Sequence, residues 1–294
     1  MSRTAGPLVS TAWMQDHLAD PDLVVLEVDE QPLIYAVGHI PGAHNVDWRR
    51  DLQAHPTRDI PGPEAIGQLW QRLGITRAST VVLYGDKNNW YACFAYWLFA
   101  LYGLQRMALL DGGRQLWLTQ HRPTTTDISP DADATPPSPH QLDLASRATW
   151  QSVLDAAPDT VLLDVRTPAE FSGELLTEPG YPLEAAQRPG HIPGARSAPW
   201  NHATNPDGTF LTRDALHELY AAHGVTPDRP VISYCRIGER SAHTWFVLHE
   251  LLDHPNVKNY DGSWTEWGSM IAMPVELGAD VGPPAVAGSD HRLR

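Results

Sequence analysis

Two cysteines, Cys93 and Cys235, stand in 294 residues. That is too few for a disulfide scaffold or a cysteine-rich zinc site. Positive charge is also scarce. Lys and Arg total 21 against 35 Asp and Glu, a formal net charge of −14. That balance argues against a nucleic-acid backbone or an anionic membrane as main partner. No apolar run is long enough to cross a bilayer. The most apolar stretch, ACFAYWLFALYG (92–103), is short and aromatic and suits a core. The opening MSRTAGPLVS has no apolar signal segment, so a reducing cytoplasm is the expected location. The 14 histidines show no HExxH-like spacing. No metal and no cofactor are therefore expected. Gly112-Gly113 and Gly262 lack a phosphate-loop pattern and read as turns.

What is present is a repeat. GHIPGAHNVDW (38–48) returns as GHIPGARSAPW (190–200), TVVLYG (80–85) as PVISYC (230–235), and LLDGGRQLW (109–117) as NYDGSWTEW (259–267). Tyr84 and Tyr234, Asp111 and Asp261, and Trp117 and Trp267 are each 150 positions apart. The second copy carries 15 extra residues between its first strand and HIPGA. Two long copies mean two homologous domains rather than a solenoid. The expected division is a first domain over 1–123, a polar, proline-rich linker over 124–143, a second domain over 144–278, and a mobile tail over 279–294.

Within the second copy, TVLLDVR (160–166), PVISYC and NVKNY (256–260) are short runs suited to buried strands. TRDALHELYAAHG (212–224) has apolar residues at helical spacing, with Thr212 as N-cap and Gly224 as C-cap. SAHTWFVLHELL (241–252) is apolar on most sides and predicts a buried helix. The first copy repeats the pattern. Strands alternating with helices predict an α/β fold of two like domains, each a parallel sheet flanked by helices. In such sheets ligands bind beyond the carboxyl ends of the strands.

Cys235 ends one of those strands and is followed by RIGER and a helix expected near Ser241. Loop amides, a helix N-terminus and the nearby Arg236 and Arg240 would all favour a thiolate, the nucleophilic form. The 150-residue offset sets Gly85, Asp86 and Trp90 of the first copy opposite Cys235, Arg236 and Arg240. The first copy is therefore expected to be catalytically silent. Cys93, inside the apolar helix, reads as a core residue. His39 and His191 belong to a motif shared by both copies, so a role in the fold is expected of them. Asp164 and Arg166, at a strand end, read as a structural pair. The tryptophans read as core. A phosphatase-like reaction is disfavoured, because such loops hold five residues between Cys and Arg and only four separate Cys235 from Arg240.

CRIGERS, the doubled HIPGA and DGSWTEW together resemble tandem-domain rhodaneses, which are thiosulfate sulfurtransferases. The likeness is strongest to bacterial members with CRIGER in the active loop, and it spans about Leu8 to Gly278. It implies that Cys235 takes the outer sulfur of thiosulfate as a persulfide and passes it to cyanide or a thiol, a thiol protein included. It also implies that Arg240, and secondarily Arg236, bind the dianion. The amides of Ile237, Gly238, Glu239 and Arg240, with Ser241 beside them, would cradle the sulfur. Gly238 would permit the tight curve. Many members carry CRKGVT, so Ile237 here removes one cationic contact. Glu239 puts a negative charge into an anion loop, where it either turns outward to an arginine or weakens thiosulfate binding. Mercaptopyruvate-using relatives usually carry a small residue at position 236, so Arg236 favours thiosulfate. Mercaptopyruvate as donor, or a persulfide carrier serving one protein partner, remain the alternatives. DWRRDLQA (47–54) and Arg58 resemble a segment facing the pocket in the family, Arg166 could position the loop, and Arg188 could reach the substrate as a second cation. A monomer is expected, since two copies can satisfy each other's interface.

Overall fold

A computed structural model describes residues 6–132, 134–139, 142–179 and 185–279. The second-copy insertion is therefore described only in part. Most of the expected tail, 280–294, lies outside the described residues. The chain divides into two compact units, Met1–Asp143 with Thr204–Leu211, and Leu144–Ala203 with Thr212–Arg294.

The first unit holds β1 (Leu8–Val9), β2 (Leu23–Glu27), β3 (His44–Asn45), β4 (Thr80–Tyr84) and β5 (Met107–Leu110). They form one sheet in the order β1-β5-β4-β2-β3. The second holds β6 (Arg147–Ala148), β7 (Val161–Asp164), β8 (Arg196–Ser197), β9 (Val231–Tyr234) and β10 (Val257–Tyr260), in the order β6-β10-β9-β7-β8. The two orders are the same with the numbers advanced by five, and every pairing is parallel. The sequence repeat is thus a repeat of topology.

Helices flank each sheet. The first unit has α1 (Thr11–His17), α2 (Trp48–Asp51), α3 (Pro63–Arg72), α4 (Trp90–Leu101) and α5 (Gly113–Thr119). The second has α6 (Trp150–Leu154), α7 (Pro168–Ser172), α8 (Arg213–Ala222), α9 (Glu239–Phe246) and α10 (Ser263–Trp267). The Thr212 hydroxyl caps α8 by accepting from Ala215 N, as expected, whereas the C-cap is His223 and Gly224 follows it at φ 75°. Burial follows composition in the apolar α4 but not in α9, where Glu239, Arg240, Ser241, His243 and Thr244 are polar and still buried. All but one residue of α4 and every residue of α9 are buried. Beyond Phe246 the helix widens into a π turn over Val247–Leu251, which the apolar pattern alone did not reveal. No helix among the described residues is long and apolar enough to cross a membrane.

The HIPGA motif has the same structural task twice. His39 pairs with Thr125 and His191 with Glu276 as isolated bridges. Ile40 N donates to the Tyr84 hydroxyl at 2.9 Å and Ile192 N to the Tyr234 hydroxyl at 3.1 Å. Gly42 and Gly194, both at φ 81°, turn the chain into β3 and β8. Each histidine stacks on an aromatic ring at 3.7 Å, Tyr35 or Phe171. The fold role expected of the histidines is what the structure assigns. Trp117 and Trp267 also match, each buried and donating its indole N–H to a proline carbonyl. Truncating such a residue to alanine costs about 3–5 kcal/mol.

Of the stretch expected as a linker, Thr125 bonds His39 and Ala132 N donates to Arg72 O at 2.9 Å, both within the first unit. Thr204–Leu211 groups with the same unit, and Phe210 N donates to Asp111 Oδ1 at 2.9 Å.

Candidate active site

In the second unit the register brings strand ends level. Asp164 of β7 and Tyr260 of β10 both align with Tyr234 of β9. The loops after these strands therefore leave the same edge of the sheet. Cys235 is the first residue beyond β9, and α9 begins four residues later at Glu239. The helix thus starts two residues earlier than the sequence suggested, so Glu239, Arg240 and Ser241 form its first turn.

The loop closes tightly on the sulfur. Gly238 N donates to Cys235 Sγ at 3.1 Å, and the Ser241 hydroxyl donates at 3.6 Å. Gly238 sits at φ 101°, and a Cβ there would lie 2.7 Å from Asp261 Cα. Glycine is therefore required both by conformation and by close approach. The loop is tied from behind by the start of α10. Trp264 N donates to Cys235 O at 3.1 Å, Thr265 N to Arg236 O at 3.0 Å, and Cys235 N donates to Ser263 Oγ at 3.0 Å.

Glu239 departs from the first of its two expected orientations, the outward one. It is buried, and its Oε2 accepts from Cys235 Sγ at 3.5 Å. Its Oε1 lies 3.5 Å from Arg236 Nη2 and 4.0 Å from Arg240 Nε. It does not turn outward, because the first turn of α9 aims position 239 back over the loop and two buried guanidinium groups draw the carboxylate in. The thiol is correspondingly not favoured as thiolate. Burial pushes the Cys235 thiol up, and the Glu239 charge pushes it further. Arg240 and the hydrogen bonds from Ser241 oppose this without overcoming it. Desolvation and the contact of a carboxylate with the sulfur, neither visible in the sequence, outweigh the cations and the helix end.

Arg240 faces a different partner from the one expected. Its Nη1 and Nη2 bond Glu170 Oε2 and Oε1 at 2.9 and 3.2 Å, a bidentate buried pair. Burial alone would raise the Glu170 carboxyl, but Arg240, Arg166 and a backbone N–H hold it down at about 2. Glu170 was not singled out from sequence. The signal available was the capping box Thr167–Glu170, whose carboxylate does double service as cap and as arginine partner.

Arg166 pairs with Asp164 at 2.5 Å, donates to Gly190 O and lies 4.7 Å over the Trp264 ring. The expected structural pair is present. The Arg166 hydrogen bonds go to this pair and to the Gly190 turn, not to the Cys235 loop. Arg188, expected as a second cation for the substrate, is bound within the protein. Its guanidinium donates to four carbonyls, of Trp267, Gly268, Met270 and Met273, and so closes the end of α10. Arg58 is exposed in the first unit at φ 59°. Among the described residues no group of three His, Cys, Asp or Glu could hold a metal ion.

In the first unit the corresponding loop follows β4, with Gly85, Asp86 and Trp90 where the second unit has the thiol and the two arginines, and Asp86 meets the loop after β2. Asp29 Oδ1 accepts from Asp86 N, and Asp86 Oδ1 from Glu30 N, both at 2.8 Å. Burial and the neighbouring Glu27 raise Asp29 to about 9, and burial raises Asp86 to about 7. A Cβ at Gly85 would lie 2.1 Å from Val28 O. Restoring a cysteine there is therefore expected to fail. Gly85→Cys should destabilise the protein by about 1–3 kcal/mol through overpacking and add no second sulfur-loading site. Denaturant unfolding and intact mass after thiosulfate would check both, and a variant that took up two sulfur atoms would refute the steric argument.

A buried cysteine at a strand end, cradled by the amide and hydroxyl of the following loop, in one of two topologically equivalent parallel sheets, defines a tandem α/β protein with one cysteine loop. The chain belongs to the rhodanese family: the rhodanese-like domain matches residues 10–120 and again 148–270. It is 48% identical over 281 residues to the sulfur carrier protein TtuD of Thermus thermophilus, covering 93% of this chain and 97% of that one. It is also 48% identical to a protein of Mycolicibacterium smegmatis provisionally named thiosulfate sulfurtransferase, over 274 residues, covering 92% and 98%. Among solved structures, YnjE superposes with a TM-score of 0.82 at 27% identity, covering 94% of this chain and 69% of that one.

Proposed function

We propose that the protein is a sulfurtransferase that moves sulfane sulfur from thiosulfate to a thiol or to cyanide through a persulfide on Cys235. The observation that carries this reading is the Gly238 N–H, 3.1 Å from Cys235 Sγ, in a loop flanked by Arg236 and Arg240. The Cys235 thiol gives its proton to solvent, and the thiolate attacks the outer sulfur of thiosulfate. The sulfur–sulfur bond of the donor breaks and sulfite leaves with the electron pair. The persulfide anion replaces the thiolate in the same amide cradle, and the arginines offset the charge of the dianion as it approaches and departs. An acceptor nucleophile then attacks the outer persulfide sulfur and Cys235 leaves as thiolate. The name of the Mycolicibacterium relative supports thiosulfate as donor. The name of TtuD supports a second reading, in which the persulfide is carried to one protein partner rather than turned over with small acceptors. Mercaptopyruvate as donor is the third and is disfavoured by Arg236.

The test is intact mass after brief incubation with thiosulfate. One added sulfur atom, absent in Cys235→Ala and removed by cyanide, supports the reading. A loaded protein that turns over slowly with cyanide and small thiols favours the carrier. A protein that takes no sulfur from thiosulfate but takes it from mercaptopyruvate overturns thiosulfate as donor.

A further inference from the structure

Glu239 occupies a position that a sulfur-transfer loop has no evident need to fill with a carboxylate. Its two oxygens are divided between the reactive sulfur and the cations. Oε2 accepts from Cys235 Sγ at 3.5 Å, and Oε1 faces Arg236 at 3.5 Å and Arg240 at 4.0 Å. All four side chains are buried. The other charged groups around the loop are held elsewhere. Asp164 is bound to Arg166 at the end of β7 and Glu170 to Arg240 on α7. Asp261, after β10, is bound through both oxygens to Arg147 at 2.9 and 3.0 Å. Among the described residues Glu239 is the carboxylate that reaches the sulfur.

The separations to the arginines carry a second message. The Glu170–Arg240 pair is bidentate with contacts of 2.9 and 3.2 Å, whereas Glu239 meets the same guanidinium only at 4.0 Å and Arg236 at 3.5 Å. Glu170 is the fixed partner of Arg240. Glu239 is the loosely held one, and a dianion with several oxygens would bond the arginines better than it does.

We infer that Glu239 is a displaceable internal anion: it holds Cys235 as a protonated thiol in the resting protein and gives up Arg236 and Arg240 when an anionic sulfur donor arrives. This rests on Cys235 being the sulfur acceptor, as proposed above. It makes Glu239 a positioning residue that links donor binding to thiol activation. When the carboxylate swings away from Sγ, the like charge opposing ionisation leaves with it, and the Cys235 proton passes to solvent as the thiolate attacks. The resting thiol is guarded against adventitious oxidation, since the thiolate is the form that reacts. No step requires an oxidant, a reductant or a further group.

Two measurements test this. The first is the ultraviolet absorbance of the thiolate against pH, each protein taken as a difference from its Cys235→Ser counterpart. Glu239→Gln should lower the midpoint of Cys235 ionisation by about one pH unit or more, as loss of a like charge in contact does. Glu239→Asp keeps the charge but withdraws it by one methylene, and should give a smaller shift of the same sign. It serves as the readout if the glutamine variant does not fold. An unchanged or raised midpoint overturns the proposal, because a residue that only braces the loop would not lower it. The second is calorimetric binding of sulfate, a dianion with no transferable sulfur, to Cys235→Ala with and without Glu239→Gln. Removal of the internal competitor should tighten binding by about tenfold. Equal or weaker binding, or none to either protein, overturns the displacement. The thiolate titration uses no thiosulfate. If the wild type takes no sulfur from thiosulfate while Glu239→Gln still lowers the midpoint, the donor assignment falls and the hold on the thiol stands.

Discussion

Cys235→Ser should abolish sulfur loading, and Cys93→Ser should leave it intact. Both thiols are wholly buried and both are pushed above the ordinary cysteine range, so neither burial nor acidity tells them apart. Their partners do. Burial is the sole influence on Cys93, which lies within α4 among aromatic and aliphatic side chains. Cys235 has an amide at 3.1 Å, a serine hydroxyl at 3.6 Å and the Arg240 charge, all of which become stronger contacts as negative charge develops on sulfur. The expected mass spectrum after thiosulfate is one added sulfur in wild type and in Cys93→Ser, and none in Cys235→Ser. Cys93→Ser should instead lower stability by about 1–3 kcal/mol, the cost of a hydroxyl in an apolar core. Equal loss of loading in both variants would overturn a single-site protein, whatever the donor.

Most of the architecture was legible because the repeat states it twice. A buried strand ending in Tyr84 or Tyr234, a HIPGA turn bonded to that tyrosine, and an indole bonded to a proline carbonyl recur at matching positions. Residues this constrained leave a pattern in the chain. The two-residue strands β1, β3, β6 and β8 left none, because two residues cannot display a period. The position of Cys235 at a strand end, and the need for glycine at 238, were likewise readable. Of the charge pairing, only the neighbouring Asp164–Arg166 pair was. The other arginines meet groups far apart in sequence, so Arg240 with the Glu170 carboxylate and Arg188 with the carbonyls at the end of α10 emerge only in three dimensions. Glu239 shows the same limit. Its sequence position placed it in the loop, but only the first turn of α9 decides that it points at the sulfur.

The Arg240–Glu170 pair changes what Arg240→Ala should do. The family resemblance makes Arg240 a substrate contact, whose loss would raise KM more than it harms folding. The structure shows a guanidinium whose two terminal nitrogens hold a buried carboxylate. Removing it strands that carboxylate, so Arg240→Ala should cost about 3–5 kcal/mol of stability, together with a higher KM. Denaturant unfolding followed by tryptophan fluorescence measures the first. Adding Glu170→Gln to Arg240→Ala should restore a large part of the loss, since no buried charge is then left unpaired. Simple additivity of the two single effects would show that the pair is not coupled. Acid gives an independent reading. The Glu170 carboxyl is held at about 2 in the folded protein against an ordinary 4.5. A depressed folded-state value means that its contribution, about 3 kcal/mol, is complete above the unfolded value and is lost as pH falls from near 4.5 towards 2. Glu170→Gln should flatten that part of the stability profile, while wild type and Cys235→Ser should fall together through it. A wild-type profile with the same slope as Glu170→Gln over this range would remove Glu170 from the acid response and, with it, the argument that Arg240 is first a structural cation.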